Sequence, residues 1–96
     1  MAVNNGYIAN NAALVTLTLP DTASIGDQVS ICGKGAGLFK IAQNSGDIIR
    51  TGTTDTTSGT GGSLTATNRY DSITLRCITA NTDWVIEVIK GAFTIA

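Results

Sequence analysis

The chain has 96 residues, with six Lys or Arg against seven Asp or Glu, a net charge of −1, two cysteines and no histidine. That length gives one domain with a modest core, and the near balance of charge excludes the broad basic field that draws nucleic acid or an anionic membrane surface. The missing histidine excludes Ser-His and Cys-His nucleophilic catalysis and the usual Cys and His zinc set.

Thr, Gly and Asn are abundant beside Ile and Val, and there is a single proline; this composition selects pleated sheet and turns, so the expected class is all-β. Residues 1–6 read as a flexible leader and residues 7–96 as one domain. Residues 7–11 read as irregular chain or a short edge strand. Residues 13–19 alternate cleanly, with Ala13, Val15, Leu17 and Leu19 on one face and Leu14, Thr16 and Thr18 on the other. Pro20 to Ser24 ends that strand. A second follows over 28–33, with Val29 and Ile31 pointing one way and Ser30 and Cys32 the other.

Gly33-Lys34-Gly35-Ala36-Gly37 then forms a turn whose glycines permit special backbone angles or a close backbone approach. It is not a phosphate loop, because no Gly-Lys-Ser/Thr and no helix follows. Asn44-Ser45-Gly46 separates residues 38–42 from 47–50 and reads as a hairpin signal. Residues 51–60, TGTTDTTSGT, are too poor in apolar groups to hold themselves down and predict a long surface loop, with room for one short strand in it. A short strand over 63–67 and a turn at 68–71 lead into a stronger strand over 72–79, with Ile73, Leu75 and Cys77 on one face.

After a turn at 80–82, residues 83–90 set Trp84, Ile86 and Val88 against Val85, Glu87 and Ile89. A strand apolar on both faces suits the middle of a sandwich or a surface covered by a neighbouring subunit. Gly91 breaks it before a last short strand over 93–95. About eight strands at this spacing predict an antiparallel β-sandwich or jelly roll. Cys32 and Cys77 sit in apolar strand runs as buried small hydrophobes, and the start of the chain lacks the character of a secretory signal, so free thiols are expected. No apolar run reaches bilayer length, so no membrane insertion is expected.

Five of the carboxylates, Asp21, Asp27, Asp47, Asp71 and Asp83, fall at predicted turns or strand edges, where Asp bonds its own backbone. That reading outweighs a pair of catalytic acids. Asp55 alone in a Thr-rich loop does not make a calcium site, and no cofactor or metal is expected. For a polar ligand, the useful groups are polar side chains beside an aromatic on the loops at one end of a sandwich. The candidates are Lys34, Lys40, Arg50, Asn68, Arg69, Tyr70 and Asp83. Each has a plainer reading: Lys34, Arg69 and Tyr70 as turn residues, Lys40 and Arg50 as exposed strand positions.

Gly33 to Gly37 with Lys40-Ile41-Ala42-Gln43, then Gly61-Gly62-Ser63-Leu64, Leu75-Arg76-Cys77 and Asn81-Thr82-Asp83-Trp84, resembles a small β domain near the C-terminal ends of bacteriophage tail-fibre and tail-spike proteins. Similar heads occur on bacterial collagen-like surface proteins. The likeness covers nearly the whole chain; that family more often has Trp where Phe39 stands and Gly-Asn where Gly91-Ala92 stands. It implies a homotrimeric, non-enzymatic tip on a virion tail that binds a cell-surface glycan or locks three chains together, or alternatively the head of a bacterial surface adhesin that binds glycosaminoglycan-like glycans. Candidate interface residues are then Phe39, Trp84, Ile86 and Val88.

Overall fold

A computed structural model describes residues 1–96. Where β-branched and aromatic residues alternate with polar ones the chain extends, and nine strands result: β1 (Asn5–Ala9), β2 (Val15–Thr18), β3 (Gln28–Gly33), β4 (Phe39–Ala42), β5 (Ile48–Arg50), β6 (Ser63–Ala66), β7 (Ser72–Thr79), β8 (Asp83–Lys90) and β9 (Phe93–Ile95). They build a five-stranded sheet in the order β1-β3-β7-β8-β5 and a four-stranded sheet in the order β2-β4-β6-β9. The fold is all-β and sandwich-like, since one core of 14 buried residues draws on both sheets, with Val29, Ile31, Leu75 and Trp84 from the first and Phe39, Ile41 and Leu64 from the second.

The sheets are mixed rather than antiparallel. β1 with β3, β2 with β4 and β5 with β8 run parallel. From β1 to β7 every link carries the chain from one sheet to the other, so no two consecutive strands among them pair as a hairpin, and each neighbour comes from two or more strands away. Only β7 and β8 follow one another within a sheet as a hairpin.

The expected hairpin at Asn44-Ser45-Gly46 is therefore a turn but not a hairpin. The Asp47 amide donates to Asn44 O at 3.1 Å and Gly46 has φ of 84°. Yet β4 and β5 part into different sheets, because the Ile48 amide donates to Thr82 O at 3.0 Å and commits β5 to the edge of β8. The glycine turn after β3 works by close approach. The amides of Lys34 and Gly35 donate to Ala9 O at 2.8 and 3.0 Å, and a Cβ on Gly35 or Gly37 would run into the backbone of Asn11 or Ala13.

Three further expectations change. The first residues are tied down: the Met1 ammonium donates to Thr18 O, the Asn4 amide donates to Gln28 O, and Asn5 and Gly6 already belong to β1. Both cysteines are free, but only Cys77 is buried; Cys32 lies one residue past inward-facing Ile31 and so faces solvent. The Thr-rich segment is a loop without the short strand the sequence allowed for, and it is anchored through a buried Thr56. Its hydroxyl accepts from the Ile49 amide at 2.9 Å and donates to Gln43 Oε1. Gln43 Nε2 meanwhile reaches the carbonyls of Asp47, Thr57 and Gly59.

Candidate functional site

Pairing register decides which candidate residues meet. Ser72 pairs with Cys32 on one side and Lys90 on the other, so the turn after β3, the turn before β7 and the end of β8 gather at one end of the five-stranded sheet. Lys34, Asn68, Arg69 and Tyr70 all lie in these turns. Asp71 shapes the second turn, as the sequence suggested: its Oδ2 accepts from the amides of Thr67 and Asn68 at 3.2 and 3.0 Å. This places Tyr70 at φ of 73°, a region that costs a bulky side chain energy. The Tyr70 ring is 54% exposed.

Arg69 is held from two directions. Its Nε donates to Lys34 O at 2.8 Å, and the guanidinium carbon sits 5.1 Å from the centre of the Tyr70 ring. Neither Nη has a protein partner and no carboxylate pairs with it. The guanidinium is thus oriented while its outer edge remains open.

The other candidates fall elsewhere. Arg50 and Asp83 lie at the far end, where β5 meets the start of β8, and they satisfy one another at 3.1 Å while Arg50 also binds Asp55 at 2.8 Å. The hydrogen bond that Arg50 donates to Asp55, then the one it donates to Asp83, raises its pKa above the ordinary value. Lys40 lies on β4 opposite Thr65, in the other sheet. Three of the seven, Arg50, Asp83 and Lys40, are therefore not part of the cluster.

Charge is polarised along the strands. Asp21, Asp27, Asp47, Asp55 and Asp83 all fall at the end where β5 and β8 begin, with Arg50 among them and Arg76 reaching the Gly26 carbonyl beside Asp27. Arg76 and Glu87 pair midway along β7 and β8, and that contact lowers the Glu87 pKa. The opposite end carries Lys34, Arg69 and Lys90 against one carboxylate, Asp71. Sequence reasoning missed Lys90, which its antiparallel pairing with Ser72 at the end of β7 and β8 brings beside the cluster.

The candidate interface residues divide as well. Phe39 and Trp84 have no exposure within a single chain, so they are core residues and cannot meet a neighbour; Phe39 packs edge-on against Phe93 at 5.6 Å. Ile86 is half-buried opposite Leu75. Val88 does not share their face. Ile86 pairs with Leu75 and Val88 with adjacent Thr74, so Glu87 is an extra residue, a bulge that reverses the alternation and turns Val88 outward. There Val88, 59% exposed, and Ile8, 70% exposed, flank a trough of about 410 Å³ floored by Gly6, Ser30, Cys32 and Thr74. Ile8 gave no sequence signal, because its segment carries no clear alternation.

Asp27, Asp47 and Asp71 accept backbone amides of their own turns, and no three His, Cys, Asp or Glu side chains cluster as metal ligands would. Burial raises the Asp47 pKa, with the charge of Asp21 adding to it. No protein-family model matches the chain, and neither does any curated protein.

Proposed function

We propose that the chain is a non-enzymatic tip domain of a fibre, of the kind it resembles on phage tail fibres and spikes, and that three copies associate and contribute to attachment to host-surface glycans. The observation that carries this reading is the trough on the outer face of the five-stranded sheet. Its wall residues Ile8 and Val88 leave apolar side chains in water, and no residue lining it is charged. Covering it costs no ionic desolvation and gains roughly 25 cal/mol for each square ångström of apolar surface removed from water. A second and third copy of the chain are the proposed cover. The net charge of −1 does little to keep copies apart.

Sedimentation equilibrium at micromolar concentration tests the assembly. A mass of three times 9.9 kDa is expected, and a Val88→Glu chain, carrying a charge into the trough, is expected to sediment as a monomer. A monomeric parent chain overturns the reading. Attachment is tested separately by binding to host cells and their extracted glycans; a trimer that binds neither is a structural cap alone.

A further inference from the structure

Resting on the glycan-attachment reading above, we propose that the end of the domain bearing Lys34, Arg69, Tyr70 and Lys90 binds sugar residues that carry a carboxylate. Overall neutrality conceals this, because the carboxylates collect at the opposite end. Three cations face one acid here, and Asp71 Oδ2 is already engaged by two backbone amides. A field of this kind draws an anionic ligand to one end of the molecule and not the other.

Geometry narrows the ligand. Planar guanidinium groups match a carboxylate with two parallel hydrogen bonds. Arg69 is set for such a contact: Lys34 O fixes Nε, the Tyr70 ring backs the plane, and both Nη groups are unpartnered. The exposed Tyr70 ring supplies an apolar surface for the C–H face of a pyranose, which explains why a bulky residue is kept at positive φ in this turn. Asn68 beside it offers an amide for sugar hydroxyls. Lys34 and Lys90 add charge without fixed geometry.

Calorimetric titration of the intact protein with tetragalacturonate, maltotetraose and a sulfated maltotetraose tests the assignment. Saturable binding is expected for the uronate, weakening as salt is raised, with the neutral sugar weaker by on the order of tenfold or more. Arg69→Ala should abolish the preference, and Arg69→Lys should recover little of it, since the fork and the Nε contact are both lost. Tyr70→Gly removes the ring while suiting the positive φ, so its binding loss cannot be attributed to unfolding. Asp55→Asn, at the opposite end, should bind as the parent does. Equal affinity for the neutral sugar, tighter binding of the sulfated one, no uronate binding, or full binding by Arg69→Ala overturns the assignment. Host-cell attachment distinguishes the two levels: attachment that survives Arg69→Ala removes this site but leaves the attachment reading standing, whereas no attachment by the parent chain removes both and leaves a structural cap alone.

Discussion

Asp47 is 1% exposed, and its carboxylate pays for that position in lost hydration although it accepts the Asn44 amide at 2.9 Å. Burial, reinforced by Asp21, raises its pKa from 3.8. The folded chain therefore binds more protons than the unfolded one between 3.8 and the raised value, and stability falls as pH rises through that window. Asp47→Asn keeps an oxygen for the Asn44 amide and removes the charge. Its unfolding midpoint in urea should exceed the parent's at pH 7 and converge on it below the ordinary carboxylate range; equal midpoints at both pH values would show that the charge is not penalised. Gly37 makes a different argument at the same scale. A Cβ there would run into the backbone of Ala13, which cannot swing aside as a side chain can. Gly37→Ala should lose at least about 2 kcal/mol in denaturant unfolding, a steric cost of the overpacking kind. That glycine's purpose was legible in the sequence as close approach. The difference between Cys32 and Cys77 was not, because it depends on which face of each strand the second sheet covers.

At the scale of elements, the Thr-rich loop holds its place through Gln43, at the end of β4. Replacing Gln43 by Ala leaves the Thr56 hydroxyl proton and the Thr57 carbonyl without a partner, while the carbonyls of Asp47 and Gly59 keep the amides of Gly59 and Gly62. Each buried group left without a partner costs about 1–3 kcal/mol, less where water can enter. Gln43→Ala should therefore destabilise by a few kcal/mol, with amide exchange across residues 51–62 accelerating before that of β7; uniform acceleration throughout would mean the loop is not separately pinned. Nothing in TGTTDTTSGT distinguishes Thr56 from its neighbours, so this anchor could not be read in advance. The strands β3, β7 and β8 were readable at their ends and over most of their faces, since period-two alternation reports burial directly. Their partners were not. A turn such as Asn44-Ser45-Gly46 encodes a reversal, whereas the sheet entered next depends on distant backbone groups such as Thr82 O. The bulge at Glu87 is likewise silent locally, and it alone takes Val88 off the face that the alternation gives it with Trp84 and Ile86 and turns it to the outer one. Of the seven ligand candidates, the four in turns came together because turns at one end of a sheet must converge.

For the whole molecule, the separation of interior from exterior apolar groups yields a test that treats stability and assembly as different quantities. Trp84 spans the core against Ile49 and Cys77 with no exposure, and only its indole Nε1 lacks a hydrogen-bond partner. Trp84→Ala should cost about 3–5 kcal/mol through lost burial and a residual cavity. In a 96-residue domain that is a large share of the total stability. Val88 lies outside that core, so Val88→Glu should leave the folded monomer's intrinsic stability nearly unchanged. If the proposed trimer forms, association adds stability by mass action, and the parent's melting temperature rises with protein concentration. Val88→Glu should then abolish the concentration dependence, while Trp84→Ala should lower the melting temperature at every concentration and keep the slope, provided enough folded chain remains. Scanning calorimetry across a hundredfold range of concentration reads both effects. A parent chain whose melting temperature does not move with concentration, in a sample that sediments as one species, would mean that the exposed Ile8 and Val88 stay in water and that the single copy is the functional unit.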